Sequence, residues 1–175
     1  MKIFISSDME GTAGVAHWDE TEKGKPLYDH FAHQMSLEVA AACEGAISAG
    51  ADDVLVKDAH DSARNIDPSV LPAQARIFRS WARHPYSMMA GLDASFTGVI
   101  FTGYHSAAGT DANPLSHTMN TQNNYVKING ELCSELRLTG LTAAYEGVPV
   151  LLVTGDKGLC EWIRSVNPAI MAVPV

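Results

Sequence analysis

Short runs of strand-forming residues alternate with longer helical stretches along most of this chain. Such a rhythm closes a core only as a parallel sheet with helices crossing over its faces. Lys2–Ser6 reads as a strand, a helix follows near His33–Ala49, Gly50 supplies the helix stop, and Asp53–Lys57 reads as the next strand. Further strands are predicted at Ala75–Arg79, Gly98–Thr102, Tyr125–Ile128, Val148–Val153 and Ile170–Val173, and helices near Tyr86–Leu92, Ser134–Glu146 and Lys157–Ser165. Asn129-Gly130, set between Tyr125-Val126-Lys127-Ile128 and Glu131-Leu132-Cys133, is the preferred sequence for a two-residue hairpin turn. The predicted class is therefore α/β: an open, mostly parallel sheet flanked by helices, with one antiparallel hairpin excursion. With 175 residues, 46% of them hydrophobic, and no linker or low-complexity tract, residues 1–175 are expected to form a single α/β domain. Residues 103–124 are polar and small without a clear period and read as a long loop; loops of that length in compact domains usually serve function.

The charge balance excludes whole classes of partner. A net charge of −8 with no cluster of Lys or Arg argues against nucleic acid and against anionic membrane surfaces. Apolar runs such as Val148–Val153 are far too short to span a bilayer, and nothing marks the chain for export. Cys43, Cys133 and Cys160 are odd in number and widely spaced, so they form neither a metal knuckle nor a disulfide framework; reduced thiols in the cytoplasm are expected, packed as small hydrophobes.

Three predicted strands run out into groups that bind metals. Asp8 and Glu10 follow Ile3-Phe4-Ile5, His60 follows Val54-Leu55-Val56, and His105 follows Val99-Ile100-Phe101. Residues i and i+2 of an extended segment face the same side, so both carboxylates of Ser7-Asp8-Met9-Glu10-Gly11 can aim at one point. In a parallel sheet these strand ends share one edge, the place where open α/β folds bind ligands. Carboxylate together with imidazole suits zinc, manganese, iron or cobalt better than calcium or magnesium, and a bridging carboxylate would allow two metals to share the site and activate water for hydrolysis. Simpler readings exist for each residue. Asp8 and Glu10 fit the role of acceptors for turn N–H groups, His60 that of a surface-loop histidine, and His105 that of a satisfied buried one. Asp58 and Asp61 flank His60 and fit either orientation of its ring or plain solvation. His17, His30, His33 and His84 stand near no strand end and read as surface residues, whereas His117, inside the long loop, could carry protons over the metals.

Taken together, Ser7-Asp8-Met9-Glu10-Gly11, Asp58-Ala59-His60, Gly103-Tyr104-His105, Ser116-His117-Thr118-Met119 and Gly130-Glu131-Leu132-Cys133-Ser134-Glu135-Leu136 resemble the DppA-type D-aminopeptidases, a family of binuclear zinc peptidases. The resemblance runs through Gly91-Leu92-Asp93 and Val148-Pro149-Val150 and covers essentially the whole chain. It implies that Asp8 bridges two zinc ions, that Glu10 and His60 complete one, and that His105 and Glu135 complete the other. Glu135 enters only through the resemblance; spacing alone would leave it a helix-start carboxylate favourable to the helix dipole. His117 matches the family's catalytic histidine, with nucleophile and acid/base roles both open. The implied activity is removal of N-terminal D-amino acids from short peptides by a homo-oligomer, a decameric double ring around a central channel. Known members are longer, so a C-terminal part of the family is expected to be missing beyond Val175. Three other readings compete with this one: a metal-dependent amidase or phosphoesterase of different specificity; a non-catalytic small-ligand binding module, for which Gly11-Thr12-Ala13-Gly14 is a weak phosphate loop; and, ranked last because no Cys lies beside the candidate ligands, a purely structural metal site.

Overall fold

A computed structural model describes residues 1–175. Its elements are β1 (Lys2–Ser7), α1 (Tyr28–Ser48), β2 (Asp53–Asp58), β3 (Ala75–Phe78), β4 (Gly98–Tyr104), β5 (Lys127–Ile128), β6 (Glu131–Leu132), α2 (Glu135–Tyr145), β7 (Val150–Gly155), α3 (Lys157–Val166) and β8 (Met171–Pro174). Six strands form one sheet in the order β3-β2-β1-β4-β7-β8, every neighbouring pair parallel. The remaining two, β5 and β6, make the predicted antiparallel hairpin. Its turn residues Asn129 and Gly130 both have positive φ, 54° and 86°, as the favoured tight hairpin turn requires.

Alternation within each strand divides the core. Ile3, Ile5, Val54 and Val56 face α1 and meet Met35, Val39 and Cys43. Phe4, Val99, Phe101 and Val153 face the other side and meet Leu136, Leu159 and Ile163 of α2 and α3. Burial on both faces explains why the central strands read as continuous apolar runs. From β1 the chain moves outward to β2 and β3, then returns to add β4 on β1's other flank. The order reverses between β1 and β4, and a crevice opens at such a switch point beyond the carboxyl ends of the strands.

Two expectations are corrected. The helix expected near His33–Ala49 already begins at Tyr28; the residue before it, Leu27, sits at φ 68° with no side-chain cap and therefore leaves no start signal in the sequence. The helix expected at Tyr86–Leu92 is only a single 3₁₀ turn, Ser87–Met89. Ser87 at φ 48° and Gly91 at φ 103° take the backbone out of helical space at both ends, while Met88 and Met89 bury against the sheet.

Candidate metal centre

Two glycines let the ends of β1 and β4 come together. A Cβ on Gly11 would lie 1.8 Å from the Tyr104 carbonyl oxygen, and one on Gly103, itself at φ +66°, would lie 2.2 Å from the Asp8 carbonyl oxygen. The space they leave is used for hydrogen bonds, from Asp8 N to Thr102 O and from Gly11 N to Gly103 O, both 2.9 Å. Register does the rest. Ser7 pairs with Asp58 on one side and Thr102 on the other, so the three strands end level.

Beyond those ends the structure gathers Asp8, Glu10, His60, His105, His117 and Glu135. His60 Nδ1 lies 3.3 Å from Asp8 Oδ1 and 3.1 Å from Glu10 Oε2. His105 Nε2 lies 3.5 Å from Asp8 Oδ2 and 3.6 Å from Glu135 Oε1, and His117 Nε2 lies 3.3 Å from the same Glu135 oxygen. Donor atoms of Asp8, Glu10 and His105, and separately of His105, His117 and Glu135, all fall within 4.8 Å of one another. Glu135 is the first residue of α2, delivered by the hairpin and capped by Ser134, whose Oγ accepts from Arg137 N at 3.2 Å.

The far nitrogen of each ring meets a backbone carbonyl: His60 Nε2 at Thr21 O, 2.8 Å, His105 Nδ1 at Ser106 O, 3.0 Å, and His117 Nδ1 at Leu115 O, 3.0 Å. If each carbonyl accepts an N–H, the nitrogen facing the carboxylates is left with its lone pair, the arrangement in which imidazoles bind metals. Acceptor facing acceptor needs positive charge between. The buried atoms Asp8 Oδ2 and His105 Nε2 have no hydrogen-bond partner at all. Their separation matches the edge of a tetrahedron built from bonds of about 2 Å, roughly 3.3 Å, as around zinc. The chemistry and spacing of this donor set fit zinc.

With no cation between them, the same groups draw protons instead. Burial opposes charge on His60 and His105, yet the carboxylates facing them override it, and both imidazoles are raised well above their ordinary value. Burial and the nearby Glu135 push the Asp8 carboxyl up, and the two imidazoles pull it below its ordinary value. Burial likewise opposes the charge on Glu135, and His105 and His117 hold its pKa down.

The centre opens into a cavity of about 460 Å³. Five carboxylates line it, Asp8, Glu10, Glu22, Asp61 and Glu135, with no Lys or Arg among the lining residues. Apolar walls come from Trp18, Trp81, Met88 and Met119. Sequence reasoning missed these walls, since nothing in the spacing of either tryptophan marks it. Trp18 packs edge-on against His117 at 5.3 Å, and His117 stacks on His105 at 4.4 Å. Asp58 does not orient His60. Its carboxylate instead accepts from Asn65 N at 2.6 Å and Ile66 N at 2.9 Å, which shapes the loop carrying the histidine. His17, His30, His33 and His84 are exposed, as expected.

A family profile described as D-aminopeptidase matches residues 1–175. The chain belongs to that family. It is 32% identical, over 175 residues, to the D-aminopeptidase of Bacillus subtilis (strain 168), covering 100% of this chain and 63% of that one. Among solved structures it is similar to the Zn-dependent D-aminopeptidase DppA from Bacillus subtilis, a self-compartmentalizing protease, with a TM-score of 0.94 and 32% identity over 100% of this chain and 63% of that chain. The chain thus spans somewhat under two thirds of the length of these family relatives.

Proposed function

We propose that this chain is the metal-binding α/β domain of a zinc-dependent D-aminopeptidase that hydrolyses short peptides or amides with an N-terminal D-amino acid. The observation that carries the reading is the orphaned pair Asp8 Oδ2 and His105 Nε2, 3.5 Å apart and buried among further carboxylates and imidazoles. Asp8, Glu10, His60, His105 and Glu135 would hold the zinc, two ions per chain in this reading, with Asp8 facing both imidazoles. When bound there, zinc supplies a water acidified enough to attack at neutral pH and polarises the scissile carbonyl.

The chain's own groups do the rest. His117 is less enclosed than the proposed ligands, its side chain 14% exposed against 5% for Glu135. From there it holds or delivers a proton at Nε2, the leaving nitrogen being its natural acceptor. Trp18 packs against that ring and helps to hold its orientation. The Met119 N–H fixes Glu135 Oε1 at 2.8 Å, so the carboxylate cannot swing away. An anionic phosphoester would meet a cavity of carboxylates with no Lys or Arg on its lining, and Gly11-Thr12-Ala13-Gly14 leads into turns rather than a helix N-terminus. The first feature disfavours a phosphoesterase and the second a phosphate-binding module, and a carboxylate-lined cavity suits a substrate with a free amino terminus.

The self-compartmentalizing description of the DppA relative supports assembly into a homo-oligomer, and the decameric double ring is the form that the family resemblance implies. No helix is long and apolar enough to cross a membrane. The three buried, unpaired cysteines fit a reducing cytoplasm. Elemental analysis of purified protein, with assays on matched D- and L-aminoacyl amides before and after chelation, tests the reading. Two zinc ions per chain and chelator-sensitive, D-selective turnover are expected; full turnover after zinc is stripped overturns it.

A further inference from the structure

Lys57, at the end of β2, is 0% exposed and has no part in the chemistry above. Burying an ammonium is costly unless its donors are satisfied, so what it binds indicates its purpose. Its Nζ donates to Asp58 O at 2.6 Å and to Ser80 O at 2.9 Å. It also lies 5.0 Å from the centre of the Phe78 ring and 4.4 Å from that of Trp81. Neither hydrogen-bond partner is a carboxylate. Trp81 is tied down from a second direction, its Nε1–H donating to Asp61 O at 2.8 Å, while Ser80 N donates to Ala63 O at 2.7 Å. The segment after β3 is therefore bolted to the loop that carries His60. Even so, Trp81 stays 39% exposed, and it lines the same cavity as Met88 and Ala59.

We propose that Trp81 is the wall of an apolar subsite for the side chain of the substrate's N-terminal residue, and that Lys57 is the positioning residue that holds it there. The inference rests on the aminopeptidase reading for its substrate class. A proton donor to the leaving amine stands on the leaving side of the scissile bond. His117 and Met119, grouped around Glu135, mark that side, which leaves the N-terminal residue to the side of His60, Ala59 and Trp81. An aromatic wall there removes an aliphatic side chain from water, and each added methylene in such a pocket is worth about tenfold or more in discrimination. The cation behind the ring keeps it from folding into the cavity. Substrates whose first residue is a D-amino acid with a branched aliphatic side chain are favoured over D-alanyl ones.

Binding of D-leucine and D-alanine to the zinc-loaded chain, measured by calorimetry at neutral pH, tests the subsite without requiring turnover. The unaltered chain binds D-leucine at least about tenfold more tightly than D-alanine, Trp81→Ala loses that margin, and Trp81→Phe keeps most of it. Lys57→Met loses part of the margin and shifts tryptophan emission, a shift absent when Trp81 is also Phe. A wild-type chain without the margin, or a Trp81→Ala variant that retains it, overturns the subsite. A Lys57→Met variant with unchanged margin and emission overturns the positioning role. Turnover of D-leucine amide is scored separately: binding with the margin but no hydrolysis by the zinc-loaded chain retires the aminopeptidase reading and leaves the subsite standing, whereas hydrolysis without the margin retires the subsite alone.

Discussion

Lys57 and the centre around Asp8 both bury charge at the carboxyl ends of neighbouring strands, yet they are built on opposite terms. The lysine is satisfied from within, by two carbonyls and two aromatic rings. Around Asp8, carboxylate oxygens and imidazole nitrogens face one another at 3.1–3.6 Å, and two of the buried atoms have no partner. A buried charge that the fold completes by itself is a piece of structure. A buried set that the fold leaves incomplete needs something from outside, and its donor types say what that is.

The largest expected contrast is in metal content and turnover. Under the proposed function, Asp8→Ala removes the carboxylate that faces both His60 and His105, so bound zinc is lost and D-aminoacyl amide hydrolysis falls by about 10²–10³-fold or more. Lys57→Met retains its zinc. Elemental analysis alongside the assay reads both variants, and a zinc-free Lys57→Met protein would erase the distinction between the two regions.

A smaller contrast lies in how stability responds to pH. Burial lowers the Lys57 pKa to about 8, with the nearby Asp58 charge only partly opposing. Because the folded value lies below the unfolded one, the unfolded chain binds more protons between about 8 and the usual lysine range, and stability rises with pH through that window. Lys57→Met removes this rise. Thermal melts at several pH values above 8, for the two proteins side by side, check it; identical pH profiles would mean the ammonium is not desolvated.

The smallest effect belongs to the cap that presents Glu135. Ser134→Ala deletes the hydrogen bond to Arg137 N and costs about 1 kcal/mol of stability by urea denaturation. It loosens the acidic centre through one of its carboxylates and leaves the Lys57 cluster untouched, so any change in the pH profile above 8 would contradict the separation.

Much of this molecule was legible as residues. The central strands announced themselves through Ile3-Phe4-Ile5, Val54-Leu55-Val56 and Val99-Ile100-Phe101, and Asn129-Gly130 announced the hairpin, because strand burial and positive φ each restrict residue choice strongly. Asp8, Glu10, His60 and His105 stood out because they follow strands predicted to end on one edge. The start of α1 at Tyr28 was hidden, since Leu27 gives no side-chain cap. The apparent helix at Tyr86–Leu92 was misleading, because Met88 and Met89 are apolar for packing against the sheet rather than for helical periodicity. Glu135 came from family resemblance, and Trp18 and Trp81 from neither source.

What the sequence determined alone is whatever depends on near neighbours along the chain: alternation, turn chemistry, and the kind of group that follows each strand. What only the tertiary structure decided is which distant groups meet. Thr21 O reaches His60 across 39 positions and Glu135 faces His105 over a hairpin, and Lys57 is caged by rings from another strand and its following loop. Such meetings follow from strand order and from the close approach that Gly11 and Gly103 permit. Packing sets these distances, and packing is a property of the whole fold that no local stretch of residues encodes.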